Sequence, residues 1–187
     1  MSTTAEAKEV GVIPPIFFEA VDPEAHKYDL GRPFWRDGYL YATDGRIVVR
    51  RRESLESLDP SLVNAAEFGS HGKTVNAGSV FVGDEADRHT DVREIPPDLV
   101  QHRVDVVEER FYGGRQRIET FEPNLRPVVM RDGFRKVLFA TYYLAMLAKH
   151  GVRRLHLHPD KDHVQAYFKT DDFEGLLMPM AFEEPDA

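Results

Sequence analysis

The sequence lacks cysteine altogether and has no long apolar run. Without cysteine the chain forms no disulfide framework, no thiolate zinc site and no cysteine nucleophile, so any metal site must use His, Asp or Glu. No apolar stretch approaches the about 20 residues that a membrane-spanning helix needs. The first residues also lack the basic segment and apolar core of a secretory signal, so we expect a cytoplasmic protein with no membrane partner.

Positive charge is in the minority, and the formal net charge is -8. This balance argues against a protein that coats nucleic acid with its whole surface, because Lys and Arg supply the phosphate contacts. The densest basic run consists of Arg50, Arg51 and Arg52, which are candidate DNA-binding residues. A basic triplet is also typical of a solvated strand end, and that alternative stays open.

The length of 187 residues and the hydrophobic content of 42% predict one globular domain, or one domain with a large insertion. We expect a single domain over residues 1–187, in which residues 53–126 form an insertion or elaboration. Within that range the pattern predicts a short helix, a strand and a hairpin, over residues 59–68, 74–82 and 104–121.

Residues 34–52 predict short strands joined by turns. Two Asp-Gly pairs, Asp37-Gly38 and Asp44-Gly45, stand between apolar-rich runs. Such a pair favours a type I′ hairpin turn, which needs positive φ at both central positions. Upstream, Pro14-Pro15 leads into residues 16–18, which we expect to form either a short strand or a single helical turn.

The last third of the chain predicts a strand, a helix and three further strands. A strand over residues 137–139 precedes Thr141, a candidate N-cap, and a helix over residues 142–149 that ends at Gly151. Alternating apolar residues then predict three strands separated by turns, over residues 153–158, 164–168 and 173–180. The expected fold class is therefore α+β, with a short helix packed on an antiparallel sheet.

Two motifs carry a resemblance to a known family. Residues 41–47 read YATDGRI and are similar to the ATDGHRL segment of the bacterial DNA polymerase III β sliding clamps, although the histidine is missing. Residues 175–180 read GLLMPM and are similar to the MPM strand at the end of those clamps. With the order of strands and helix, the chain resembles one DNA-clamp-like domain over residues 34–52 and 127–182. The resemblance implies a non-enzymatic accessory protein of DNA replication or repair.

The resemblance also implies a peptide-binding site. In that family the two segments help to line an apolar pocket into which polymerases and repair proteins insert a short peptide. The residues that match by position are Thr43, Gly45, Arg46, Ile47, Met178, Pro179 and Met180. Methionine suits a surface that accepts varied apolar side chains, and proline removes a backbone donor from a sheet edge. The alternative is that the two methionines only close a core at that edge.

The resemblance has consequences for assembly and partners. In the clamps the two segments belong to neighbouring domains of one chain. Because this chain resembles only one such domain, its two segments would meet across a head-to-tail contact between subunits. We therefore expect a homo-oligomer. The helix over residues 142–149 offers Lys149 as a candidate DNA contact. We expect no cofactor, and we expect peptide motifs of replication or repair proteins as partners, with double-stranded DNA as a further one. The first hypothesis is a processivity clamp built from single-domain subunits, and the second is an adaptor that does not encircle DNA.

A third hypothesis is a metal-dependent enzyme. His156, His158 and His163 are spaced to share one sheet face, where neutral imidazoles bind zinc, although a polar, solvent-facing strand pair is the alternative. The Gly72-Lys73-Thr74 stretch lacks the first glycine of a phosphate-binding loop. No Ser, His and Asp set and no paired carboxylates indicate catalysis, so we expect that the protein is not an enzyme.

Overall fold

The computed structural model describes residues 11–23, 31–63, 88–101 and 125–180. These residues form an α+β fold that is mostly antiparallel sheet with few helices. The chain divides into two compact units, Met1–Val80 and Phe81–Ala187. The predictions for residues 64–68, 74–82 and 104–121 lie outside the described residues. In the described part of the chain, no helix has the length and apolar character needed to cross a membrane.

Among its described residues, the first unit contains one short α-helix and three antiparallel strands. Helix α1 spans Ile16–Glu19 and buries Ile16 and Phe17, so the helical alternative for residues 16–18 is the one observed. The strands are β1, β2 and β3, with bounds Phe34–Arg36, Tyr39–Thr43 and Ile47–Arg52. Strand β2 pairs with both of the others, and a 3-10 turn, Leu55–Ser57, follows β3.

The two predicted Asp-Gly turns differ in the structure. Asp37 and Gly38 have φ of 50° and 84° and join Arg36 to its partner Tyr39, which confirms a two-residue hairpin with positive φ at both positions. At the second pair only Gly45 has positive φ, at 90°, and the register is set by Thr43 opposite Val48. The type I′ prediction for Asp44-Gly45 is therefore wrong, because side-chain hydrogen bonds shape that turn instead.

The predicted helix over residues 59–68 is not present in its described part. The Asp59 side chain accepts a hydrogen bond from the backbone N–H of Ser61, and the Asp59 carbonyl oxygen accepts one from the backbone N–H of Leu62. Asp59 thus caps a hydrogen-bonded turn over residues 59–63 rather than the first turn of a helix.

The second unit contains two helices and six strands among its described residues. The helices α2 and α3 span Pro97–Gln101 and Thr141–Lys149. The strands β4 to β9 have the bounds Asp91–Glu94, Leu125–Val129, Lys136–Ala140, Arg154–Leu157, Ala166–Lys169 and Glu174–Leu177. An antiparallel sheet has the order β9-β8-β7-β4, and β5 and β6 form a separate two-stranded sheet.

The predicted order of strand, helix and three strands is confirmed by β6, α3, β7, β8 and β9. Leu144 and Leu147 of α3 are buried, as are Leu155 and Leu157 of β7, and Gly151 has the positive φ that ends the helix. Thr141 is not the N-cap, because Ala140 occupies that position and no side chain caps the helix.

Strand β4 lies within the range that we interpreted as an insertion or elaboration, residues 53–126. It pairs along its length with β7, where Asp91 lies opposite Leu157 and Glu94 lies opposite Arg154. This part of the range is therefore a strand of the main sheet of the second unit.

Candidate functional site

The 43–47 segment, residues 43–47, is a turn locked by its own side chains. The Thr43 hydroxyl donates to the Ile47 carbonyl at 2.6 Å and accepts from the Gly45 N–H at 3.0 Å. The Asp44 carboxylate accepts from the N–H groups of Arg46 and Ile47 at 2.8 and 3.1 Å. These bonds supply hydrogen-bond partners to backbone groups of the turn. Asp44 therefore does not adopt the left-handed conformation that a type I′ turn needs.

Burial separates the residues of the 43–47 segment into two groups. Thr43 and Ile47 are only 4% and 1% exposed, so they belong to the interior. Gly45 is exposed and Arg46 is half-buried. Among the residues matched to the clamp motif, Thr43 and Ile47 hold the turn in shape, whereas Gly45 and Arg46 form its accessible surface.

The 178–180 segment, residues 178–180, directly follows β9. The predicted strand over residues 173–180 is shorter than expected and ends at Leu177. The backbone N–H of Met180 donates to the carbonyl oxygen of Leu138 in β6 at 2.8 Å. Met178 is 41% exposed, while Pro179 and Met180 are half-buried. The segment therefore presents a methionine side chain to solvent on a hydrogen-bonded backbone.

The two segments belong to different units, the 43–47 segment to Met1–Val80 and the 178–180 segment to Phe81–Ala187.

The candidate DNA contacts divide between the faces of β3. Tyr39 pairs with Arg52 and Tyr41 with Arg50, so Arg50 and Arg52 share one face, and Arg51 lies on the other. The Arg51 guanidinium pairs with the Glu53 carboxylate at 2.6 Å and donates to the Val12 carbonyl at 3.0 Å. Arg51 thus has a structural role that accounts for its presence.

Lys149, the remaining DNA candidate, is exposed in the last turn of α3, in the second unit. A cation at this end of a helix also interacts favourably with the helix dipole.

The three histidines singled out in the sequence have different surroundings. His156 is half-buried edge-on to Tyr167, with ring centres 5.7 Å apart. His158 meets His89 edge-on at 6.1 Å, and exposed His163 lies 3.4 Å from the Asp162 carboxylate. In residues 11–23, 31–63, 88–101 and 125–180, no group of three His, Asp or Glu side chains is placed to hold a metal ion. The metal hypothesis gains no support from this part of the chain.

Burial, followed by the charge of Lys169, lowers the pKa of His156 below its usual 6.5, and His89 and Arg154 act in the same direction. The neutral imidazole is therefore the favoured form of His156 near pH 7.

Two buried polar residues of the second unit were not found by sequence reasoning. His89 is 2% exposed, and its Nε2 lies 2.7 Å from the carbonyl oxygen of Gln165. The Asp91 carboxylate bonds to the Arg93 side chain at 2.6 Å and to the Arg131 N–H at 2.7 Å. Asp91 thus links β4 to the turn between β5 and β6. No local pattern in the sequence indicates this contact or the one between His89 and Gln165.

No protein-family model, curated protein or solved structure matches this chain. What the protein does must therefore be inferred from its own residues.

Of the surfaces described, the 178–180 segment has the chemistry best suited to binding a peptide. A thioether side chain is flexible and polarizable, and it packs against varied apolar groups. The adjacent proline has no N–H, so the segment offers an incomplete row of backbone donors for strand pairing. Side-chain contacts, rather than an added strand, would dominate binding there.

Proposed function

We propose that this chain is a non-enzymatic, sliding-clamp-like protein-interaction module of DNA replication or repair, and that its 178–180 segment binds short apolar peptides. The observation that carries the proposal is the partial exposure of Met178 beside a backbone that the Met180 to Leu138 hydrogen bond holds in place. A backbone that is already ordered loses little conformational entropy when a partner binds. The similarity of residues 41–47 and 175–180 to the clamp motifs supports the same function.

In the proposed homo-oligomer, the 43–47 segment of a neighbouring subunit is the second part of the peptide site. Its turn is fixed by the Thr43 and Asp44 side chains, so Gly45 and Arg46 occupy defined positions. Gly45 leaves room for a ligand backbone to approach, and Arg46 adds a cation at the rim of the surface. We assign Met178 and Arg46 to ligand contact, and Thr43 and Ile47 to support of the turn.

Assembly into a homo-oligomer is part of the proposal, because the resemblance places the two segments in neighbouring domains. Within it we favour an adaptor that does not encircle DNA. Arg51 forms an ion pair with Glu53, which reduces the positive charge that the triplet at residues 50–52 can offer to DNA. The mass in solution and the salt dependence of duplex binding distinguish the two forms: a ring requires an oligomer whose duplex affinity falls with salt.

The peptide proposal is tested by titrating the protein with a short apolar peptide of the clamp-binding class. We expect saturable binding that Met178→Ala weakens and Met178→Leu largely retains, because leucine restores apolar surface. Arg46→Ala should weaken binding without changing the fold. Ile47→Ala serves as the comparison for a buried residue, since its main effect should be on stability. Absent binding, or binding that Met178→Ala and Arg46→Ala leave unchanged, would reject the proposal.

A further inference from the structure

The sequence contains three Asp-Gly pairs, Asp37-Gly38, Asp44-Gly45 and Asp132-Gly133, and each lies in a described turn. An Asp-Gly pair can convert its aspartate to isoaspartate without an enzyme, because glycine has no Cβ to shield its backbone nitrogen from the preceding side chain. The reaction requires this nitrogen to approach the carboxyl carbon of the aspartate. Hydrogen bonds that hold either group in another position therefore oppose it.

At Asp44-Gly45 both reacting groups are held by hydrogen bonds. The Gly45 N–H donates to the Thr43 hydroxyl at 3.0 Å. The Asp44 carboxylate accepts from the N–H groups of Arg46 and Ile47 at 2.8 and 3.1 Å. The carboxylate is thus directed to donors two and three residues ahead, and these bonds must break before its carbon can reach the Gly45 nitrogen.

Asp132-Gly133 is held in the same way. The Gly133 N–H donates to the Met130 carbonyl at 3.0 Å. The Asp132 carboxylate accepts from the N–H groups of Phe134 and Arg135, both at 2.9 Å, and it also bonds to the Arg135 side chain. These contacts, led by the Arg135 side chain, lower the pKa of Asp132 to about 2. The carboxylate therefore stays ionised, and an ionised carboxylate is a poor acceptor for a nucleophile.

Asp37-Gly38 differs from the other two pairs at both groups. The Asp37 side chain is 85% exposed, and its ion pair with Arg36, at 3.3 Å, is screened by water and salt. The hairpin pairs Arg36 with Tyr39, which leaves the Gly38 N–H outside the strand ladder. In the described part of the chain the Gly38 carbonyl accepts from the Glu53 N–H at 3.0 Å, whereas the Gly38 N–H has no acceptor.

We propose that Asp37-Gly38 is a modification site, at which the chain forms isoaspartate spontaneously through a cyclic imide, and that the folded turns protect the other two pairs. The Gly38 nitrogen bonds to the side-chain carboxyl carbon of Asp37. The bond from that carbon to its hydroxyl oxygen breaks, and this oxygen leaves as water with the amide proton.

A water molecule then opens the imide. Its hydroxyl bonds to the backbone carbonyl carbon of Asp37, the bond from that carbon to the Gly38 nitrogen breaks, and the chain continues through the side-chain carboxyl carbon. The proton lost in the first step is replaced by one from this water, because the nitrogen again becomes an amide N–H. One water is released and one is consumed, so the composition of the chain is unchanged.

Isoaspartate adds a carbon atom to the main chain of a turn that only two residues close. Arg36 and Tyr39 are direct partners, so the longer connection no longer fits their register. Trp35 is the only tryptophan of the chain, and its Nε1 donates to the Glu53 carbonyl at 2.8 Å. We therefore expect modification to loosen β1 and to change the fluorescence of Trp35.

The test incubates the full chain at physiological temperature and about pH 5, where an ordinary aspartate is partly protonated. Peptide mapping with electron-transfer fragmentation measures isoaspartate at each pair. We expect isoaspartate to form at residue 37 at least about tenfold faster than at residues 44 and 132, because there the competing hydrogen bonds must break first. In concentrated urea these bonds are lost and the three rates should converge. A faster or equal rate at residue 44 or 132 in the folded protein, or a difference that persists in urea, would overturn the proposal.

Asp37→Asn gives a second test, because Asn-Gly also favours a type I′ turn and the ring closure then releases ammonia instead of water. Asp44→Asn is the matched control, in which the Gly45 N–H keeps its Thr43 acceptor. Circular dichroism checks that both variants fold. We expect the amide at residue 37 to be lost much faster than the amide at residue 44, and equal rates would overturn the proposal. Isomerised protein whose Trp35 emission matches that of the unmodified protein would contradict the loosening of β1.

This inference does not rest on the proposed peptide site. The isomerisation rates are measured without a peptide, so either proposal can fail while the other stands.

Discussion

The Met180 N–H donates a hydrogen bond of 2.8 Å to the Leu138 carbonyl, which joins the 178–180 segment to strand β6. Leu138 pairs on its strand with Pro127 of β5, so the segment is attached to an ordered two-stranded sheet. This attachment distinguishes Met178 from an exposed methionine in an unstructured tail, because its backbone is already in one conformation.

The first prediction concerns exchange of the Met180 amide hydrogen. Because this amide is hydrogen-bonded within the protein, it should exchange at least about tenfold more slowly than in an unstructured peptide, an opening free energy of about 1.4 kcal/mol. NMR-detected hydrogen exchange measures this rate. Exchange at the unstructured rate would show that the segment is not held against β6.

The second prediction concerns the Thr43 hydroxyl, which both donates and accepts a hydrogen bond in the 43–47 segment. Thr43→Val keeps the shape of the side chain but leaves the buried Ile47 carbonyl and the Gly45 N–H without these partners. We expect the free energy of unfolding to fall by about 1–3 kcal/mol, as measured by urea denaturation. Thr43→Ser retains the hydroxyl and should lose less. Equal stability of the valine variant and the natural protein would contradict a structural role for this hydroxyl.

The third prediction follows from the lowered pKa of His156, for which burial is the main cause. The unfolded chain takes up a proton near pH 6.5 while the folded chain resists it, so the free energy of unfolding should fall as the pH drops below about 6.5. His156→Phe keeps an aromatic ring beside Tyr167 and removes the titration. The loss of stability between about pH 7.5 and 5.5 should be smaller in this variant. An unchanged loss would contradict the assignment.

The fourth prediction concerns Asp132, in the turn between β5 and β6. The side chain of Arg135 and the backbone N–H groups of Arg135 and Phe134 lower the pKa of Asp132 to about 2. The resulting stabilisation is present above about pH 3.8 and is lost as the pH falls toward 2. Carboxyl ¹³C NMR should show a raised pKa in Arg135→Ala and little change in Arg131→Ala. A pKa that stays near 2 without the Arg135 side chain would contradict this cause.

The sequence predicted the elements whose formation depends on local chemistry. The Asp37-Gly38 hairpin requires only two residues that tolerate positive φ, and both have it. Helix α3 ends where Gly151 allows a left-handed residue, and β7 follows from the alternation of Leu155 and Leu157 with polar residues. These signals lie within a few residues of the structure they determine.

The remaining features depend on partners that are distant in the sequence or on competing side-chain bonds. Asp44-Gly45 has the same two residue types as the first hairpin turn. Hydrogen bonds of the Thr43 hydroxyl and the Asp44 carboxylate nevertheless stabilise a different turn. Proline is unfavourable inside a sheet, yet β5 contains Pro127, in a sheet that has two strands among the described residues. His89 bonds to Gln165, 76 residues away, and no local pattern indicates that contact.

The linear motifs do not contain the burial that distinguishes the candidate residues. The motif at residues 41–47 spans a turn but does not separate buried Thr43 and Ile47 from accessible Gly45 and Arg46. The triplet at residues 50–52 was interpreted as one basic patch, although β-strand alternation and Glu53 place Arg51 in a different environment. Burial and pairing, which a linear motif does not contain, make these distinctions.

The most direct test of the central claim is ¹³C-methyl NMR of the methionines during titration with a short apolar peptide. Met130 and Met146 are internal controls, because they are 1% and 4% exposed, whereas Met178 is 41% exposed. We predict saturable shifts of the Met178 and Met180 methyl signals while those of Met130 and Met146 stay in place. Unchanged Met178 and Met180 signals at saturating peptide would contradict peptide binding at the 178–180 segment.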